Sequence, residues 1–150
     1  MRIISENKGA FWRYDIKDKV TAGIALTGGE VKSIKEGRVY LNGSFVKVIG
    51  KEAFLVGANI PLYKKATDES YDPERPRKLL LHREEISRLV GTASQKGYTI
   101  LPLQIIENYA IIKLIVGVGK GRKEYEKKEV VMERQEKRDT ERLVKELNRL

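Results

Sequence analysis

Two runs near the end of the chain, YTILPLQIIE and YAIIKLIVGVG, constrain the fold most. Both are rich in β-branched residues and are separated by Asn108, so they predict a long antiparallel hairpin. Shorter β-prone runs lie upstream, at Tyr14–Ile16, Val20–Leu26, Ser44–Ile49 and Ala53–Val56. The last two are joined by GKE as a second hairpin. GGEVKSIKEGRVYL predicts a short helix with Val31, Ile34 and Lys35 on one face and Gly37 as its stop. LHREEISRLVGTASQKG predicts a longer one, with a stripe of Leu81, Ile86, Leu89 and Val90 ending at Gly97. Pro61 to Arg77 has no periodicity and reads as a long loop, functional or mobile. Antiparallel strands with two helices between them predict a mainly β fold: a small closed, OB-like antiparallel barrel with flanking helices. Its compact part is expected between residues 13 and 118. A single barrel domain would then span 1–120, with a tail over 121–150.

A chain of 150 residues suits one domain with appendages. No apolar run is long enough for a membrane span or a secretory signal, so the cytoplasm is the expected location. With no cysteine and one histidine, neither disulfides nor a thiolate or multi-histidine metal site is expected, and no cofactor. The formal charge of +9, from 30 Lys and Arg against 21 Asp and Glu, points to a polyanionic partner, most often nucleic acid. The same excess also suits a merely basic protein.

From Glu133 to Arg142 the chain has no strongly apolar residue, yet its charges are ordered. Wound as a helix, Arg134, Arg138, Arg142, Lys145 and Arg149 fall within an arc of about 80°. Met132, Leu143, Leu147 and Leu150 fall opposite. Glu124–Lys128, Glu133–Lys137 and Glu141–Lys145 are i,i+4 pairs, each worth roughly 0.2–0.5 kcal/mol. The tail therefore reads as helical by propensity but loose when free, for want of a surface to pack on. A coiled coil would need a sustained apolar seam, which is missing. A one-sided arginine stripe suits phosphates, because guanidinium pairs with them bidentately.

Arg75, Arg77 and Lys78, stiffened by Pro73 and Pro76, read equally as a solvated turn or as phosphate contacts. Lys8, Phe11, Trp12, Arg13 and Tyr14 interleave bases and aromatics, as a base-stacking surface or an edge strand would. His82 opens a helix without a nucleophile or metal partner, and GVGKGRK lacks the Ser or Thr of a nucleotide-binding loop. Neither supports an enzyme.

NKGAFWRY, AGIALTGGEVKSIKEGR, EAFLVGANI, DPERPRKLLLHREEISRLVG, KGYTILPL and GKGRKEYEKK together resemble the small protein B family (SmpB), nearly end to end. The order and separation of TGGEVKSIKEGR and RPRKLLLH are the most specific part. The resemblance implies an OB-like barrel with a C-terminal tail. It implies an RNA-binding adaptor, not an enzyme, that binds the tRNA-like domain of transfer-messenger RNA. Members carry that RNA to stalled ribosomes for trans-translation, and their tail enters the empty mRNA channel near the decoding centre, against small-subunit rRNA. A monomer is expected. A less selective OB-type RNA-binding or ribosome-assembly factor is the alternative.

Carried over position by position, the resemblance assigns RNA contacts to Asn7, Lys8, Trp12 and Tyr14, to Arg75, Arg77, Lys78 and Leu80, and to Lys120, Arg122 and Lys123. It assigns the ribosome to Tyr125, Glu126, Lys127 and Lys128 and, with the stripe, to Arg134, Arg138, Arg142 and Lys145. Glu30, Val31, Lys32, Ser33, Gly37 and Arg38 keep a motif that reads mainly as scaffold. The chain departs from the family pattern at Gly9 and Phe11, where arginines are usual, at Trp12, usually histidine, and at Thr21, usually acidic.

Overall fold

The computed structural model describes residues 1–63 and 69–148, and the side chains of all of these except 124–127 and 129–131. The elements run β1 (Arg2–Glu6), α1 (Lys8–Arg13), β2 (Tyr14–Ile24), α2 (Gly28–Lys35), β3 (Phe45–Ile49), β4 (Glu52–Val56), β5 (Arg77–Leu80), α3 (Arg83–Ala93), β6 (Tyr98–Asn108), β7 (Ile111–Gly121) and α4 (Glu124–Asn148). All strand pairings are antiparallel, in a seven-stranded sheet ordered β1-β6-β7-β2-β5-β4-β3. The expected β6–β7 hairpin is there, but its turn is Tyr109–Ala110, with φ of 51° and 66°. Left-handed backbone at both turn residues matches the twist of the flanking strands.

The sheet coils into an OB-like half-open barrel. β3 comes round to pack against β6, but no ladder joins them among the described residues, so the expected closure is not reached. The edge of β6 is already occupied. β1 pairs with it from Gln104 to Glu107, and Asn7 takes the next carbonyls, donating its backbone N–H to Leu103 and its side-chain amide to Pro102 at 2.7 and 2.9 Å. The N-terminus is thus part of the sheet rather than an arm outside it. The unperiodic stretch from Pro61 gives way at Arg77 to a strand, β5, which the sequence pattern does not predict; residues 64–68 lie outside the described part.

A bulge in β6 divides the interior in two. Register slips between Pro102 and Gln104, leaving Leu103 unopposed on β7. Strand residues normally alternate faces, so the extra residue lets Leu101 and Leu103 point one way and Ile105 the other. Ile105 joins the main core with Ile34, Leu55, Leu79, Leu89 and Leu114. Leu101 and Leu103 form a second small core with Ala10, on which α1 sits. Pro102 is tolerated because a bulge needs no regular ladder donor there. Gly117 faces Leu103, and a Cβ on it would lie 2.6 Å from Leu103 Cδ1.

α2 begins with a capping box: Thr27 Oγ1 accepts from the Glu30 N–H, and the Thr27 N–H donates to Glu30 Oε1 at 2.9 Å. Glu30, 1% exposed, also accepts from Arg77 Nε at 2.8 Å, Arg77 Nη2, Arg75 Nη2 and Tyr71 OH. Arg77 has no exposed surface and donates further to the carbonyls of Ala58 and Pro73. α3 follows, N-capped at His82, with Ile86 and Leu89 buried but Val90 turned out to solvent. α4 is one continuous helix, and of its described side chains only Arg134 is even half-covered. Glu133–Lys137 and Glu141–Lys145 are not among the ion pairs of the described residues, and the Glu124 side chain of the third expected pair lies outside the described part.

Removing Arg77 leaves a buried carboxylate, so Arg77→Met should cost about 3–5 kcal/mol in urea unfolding. Burial pushes the Glu30 carboxyl up, but the Thr27 N–H and the two guanidiniums outweigh it and hold it below the usual range. Its contribution is therefore complete above the unfolded value of about 4.3 and is lost as pH falls through the lower folded value. Glu30→Gln should flatten that acid limb of stability. Gly117→Ala forces Leu103 to move and should destabilise by about 1–3 kcal/mol, read by the same titration.

Candidate nucleic-acid interface

At one end of the barrel three chain segments are tied together. Tyr14 and Asp15 of β2 face Gly121 and Lys120 of β7, Lys120 also faces Tyr98 of β6, and the Arg122 N–H donates to the Arg13 carbonyl at 2.8 Å. The small core beneath α1 holds its outer face outward. Exposed Lys8, Arg13, Lys120 and Lys123 surround half-buried Trp12, Tyr14 and Arg122. The Arg13 guanidinium lies 5.8 Å from the centre of the Trp12 ring, and Lys19 lies at the same distance from Phe11. Beside them, Asp15, Lys17, Tyr98, Lys120 and Lys123 line a shallow groove. The hydrogen bond from Lys17, 2.8 Å away, holds the Asp15 carboxyl below its usual range and Lys17 above its own. Three ammonium groups against one carboxylate leave the groove cationic, a footing for phosphate oxygens.

α4 returns across α1. Glu6 and Lys8 share a groove with Arg134, Lys137, Arg138 and Glu141, so the basic stripe of the tail continues the patch on α1. Arg142, Lys145 and Lys128 stand free in solvent, while the side chains of Tyr125, Glu126 and Lys127 lie outside the described part.

The pattern of the SmpB protein family matches residues 4–146, barrel and tail together. The chain belongs to this family. It is 41% identical over 145 residues to an SsrA-binding protein of Shouchella clausii, covering 97% of this chain and 93% of that protein. It is 44% identical over 144 residues to one from Chloroflexus aggregans, covering 95% and 91%. It also superposes on a chain solved under the description "tmRNA-SmpB: a journey to the center of the bacterial ribosome". There the TM-score is 0.67 at 40% identity, covering 85% of this chain and 93% of that one.

Within this SmpB chain the RPRKLLL run does not join the α1 patch. Leu80 pairs with Gly23 at the far end of β2, nine positions from Tyr14, or roughly 30 Å along an extended strand. Its members also differ in availability. Arg77 is locked in the core with Glu30, so the expected phosphate contact is corrected to a structural one. Arg75 is 39% exposed but shares the same carboxylate. Lys78 is open and pairs with Glu52 at 3.3 Å, and Leu80 is 57% exposed. Asn7, expected to touch RNA, is buried on the β6 carbonyls. Sequence reading missed Lys17 and Lys19, although the alternation in DIKDKV places both on the solvent face of β2. Among the described residues, no group of three acidic, histidine or cysteine side chains could hold a metal, and no helix is long and apolar enough to cross a membrane.

If the groove by β7 neutralises phosphates, Lys120→Ala and Lys123→Ala should each lower the slope of log affinity for RNA against log salt by about 1, while sparing the unfolding midpoint.

Proposed function

We propose that this chain is an RNA-binding adaptor of ribosome rescue. It binds the tRNA-like domain of transfer-messenger RNA and delivers it to ribosomes stalled in translation, in the cytoplasm and without making or breaking a bond itself. The observation that carries this reading is the match to SsrA-binding proteins over almost the whole chain, the tail included. The geometry supports it: two patches, at α1 with the β7 exit and at Lys78 with Leu80, sit about the length of β2 apart. A folded RNA arm laid along the barrel can reach both, phosphates on the cations and a base or sugar on Leu80.

The tail supports a second contact. Apart from its crossing of α1 it leaves its described side chains exposed, and it carries its arginines on one side, so most of the helix finds packing only on a partner. The emptied mRNA channel, walled by phosphate, is such a partner, and Arg134, Arg138, Arg142 and Lys145 are the residues that would line it. Ending the chain after Lys123 should leave binding of the tRNA-like domain within a few-fold and abolish rescue of ribosomes stalled on a truncated message. A gel-shift competition at physiological salt tests the other half: excess ordinary tRNA should fail to displace the tRNA-like domain. Equal competition would leave only a non-selective RNA-binding protein.

A further inference from the structure

We infer that the open seam of the barrel is a pocket for one unstacked nucleobase of the bound RNA, an inference that rests on the RNA-binding reading above. Where β3 approaches β6 without pairing, the seam leaves a cleft of about 210 Å³, a size suited to a single base rather than to a larger ligand. Ile100 and Leu101 form its floor. α1 with Gly9, Arg13 and Tyr14 forms one wall, and the turn at Asn42 and Gly43 leading into Phe45 forms the other.

Three features of the cleft fit a base. Its rings come first: Tyr14 is half-buried, and Phe45 is 47% exposed on a strand edge where no core requires an aromatic. Such rings stack on any base. Its polar atoms converge on the vacancy left by Gly9, since a Cβ there would lie 3.7 Å from Asn42 Oδ1 and 3.9 Å from Asn7 Oδ1. The Asn7 amide nitrogen is committed to the Pro102 carbonyl at 2.9 Å, which turns its oxygen toward the cleft as an acceptor. Two acceptors suit the exocyclic amino group of adenine, cytosine or guanine. Its rim is cationic, with Arg13 at the mouth, placed for a phosphate flanking an extruded base.

The test is a binding titration of the full-length chain with tRNA-like-domain RNAs, each carrying one abasic nucleotide in an unpaired loop. One position should weaken wild-type binding about ten-fold. Gly9→Leu, which fills the cleft, and Phe45→Ala should each weaken the intact RNA by a similar factor with no change of salt slope. Combined with the critical abasic RNA, neither variant should lose more. The inference is overturned if both variants bind intact RNA as the wild type does, or if their losses multiply with every abasic position alike. Phe45→Ala, at an exposed side chain, gives this reading even if Gly9→Leu fails to fold. A wild type that binds every abasic RNA as it binds the intact one also overturns the inference and leaves the proposed function standing, whereas one that binds ordinary tRNA as tightly as the tRNA-like domain overturns the proposed function.

Discussion

The buried pair of Glu30 and Arg77 is the constraint on which the rest of the molecule depends. Burying either charge alone would cost several kcal/mol. Here the carboxylate accepts from a helix-cap N–H, two guanidiniums and a tyrosine hydroxyl, and Arg77 spends its remaining donors on backbone carbonyls. The network joins the first turn of α2, the segment before β5 and β5 itself, elements 47 positions apart at its widest hydrogen bond. It therefore positions β5 beside β2, and with it the exposed Lys78 and Leu80. Part of a basic run that looks like an RNA contact is internal bracing that presents the remainder.

A second constraint acts at the other end. The Leu103 bulge, matched by side-chain-free Gly117, diverts two leucines to the far face of β6 and makes a platform for α1. Asn7 fastens the strand edge beside it. Platform and edge together leave β3 without a partner on β6, so the seam stays open where the aromatics and cations of α1 are presented. The incomplete closure and the basic, aromatic surface beside it thus have one cause.

The tail obeys the opposite logic. The apolar side chains Met132, Leu143 and Leu147 stay exposed rather than packing on the barrel, so its helix is held by backbone propensity and by what it meets. The molecule is thus divided into a rigid body with fixed contacts and a charged helix left to pack on what it meets.

Much of this was legible in the residues. The β6–β7 hairpin, the β3–β4 hairpin, α2 with its Gly37 stop and α3 each follow from local periodicity and turn chemistry, because those signals act within a few residues. The basic tail and its one-sided stripe follow from spacing alone. Tertiary structure alone decided the rest. That Arg77 is core while Lys78 is surface depends on a carboxylate 47 positions away. That the Asn7 amide fastens a strand edge, that β1 is a strand, and that the barrel stays open depend on which segments pair with the β6 edge. Long-range pairing chooses among residues that look alike in sequence, because burial and hydrogen-bond partners are properties of the assembled sheet and not of any one segment.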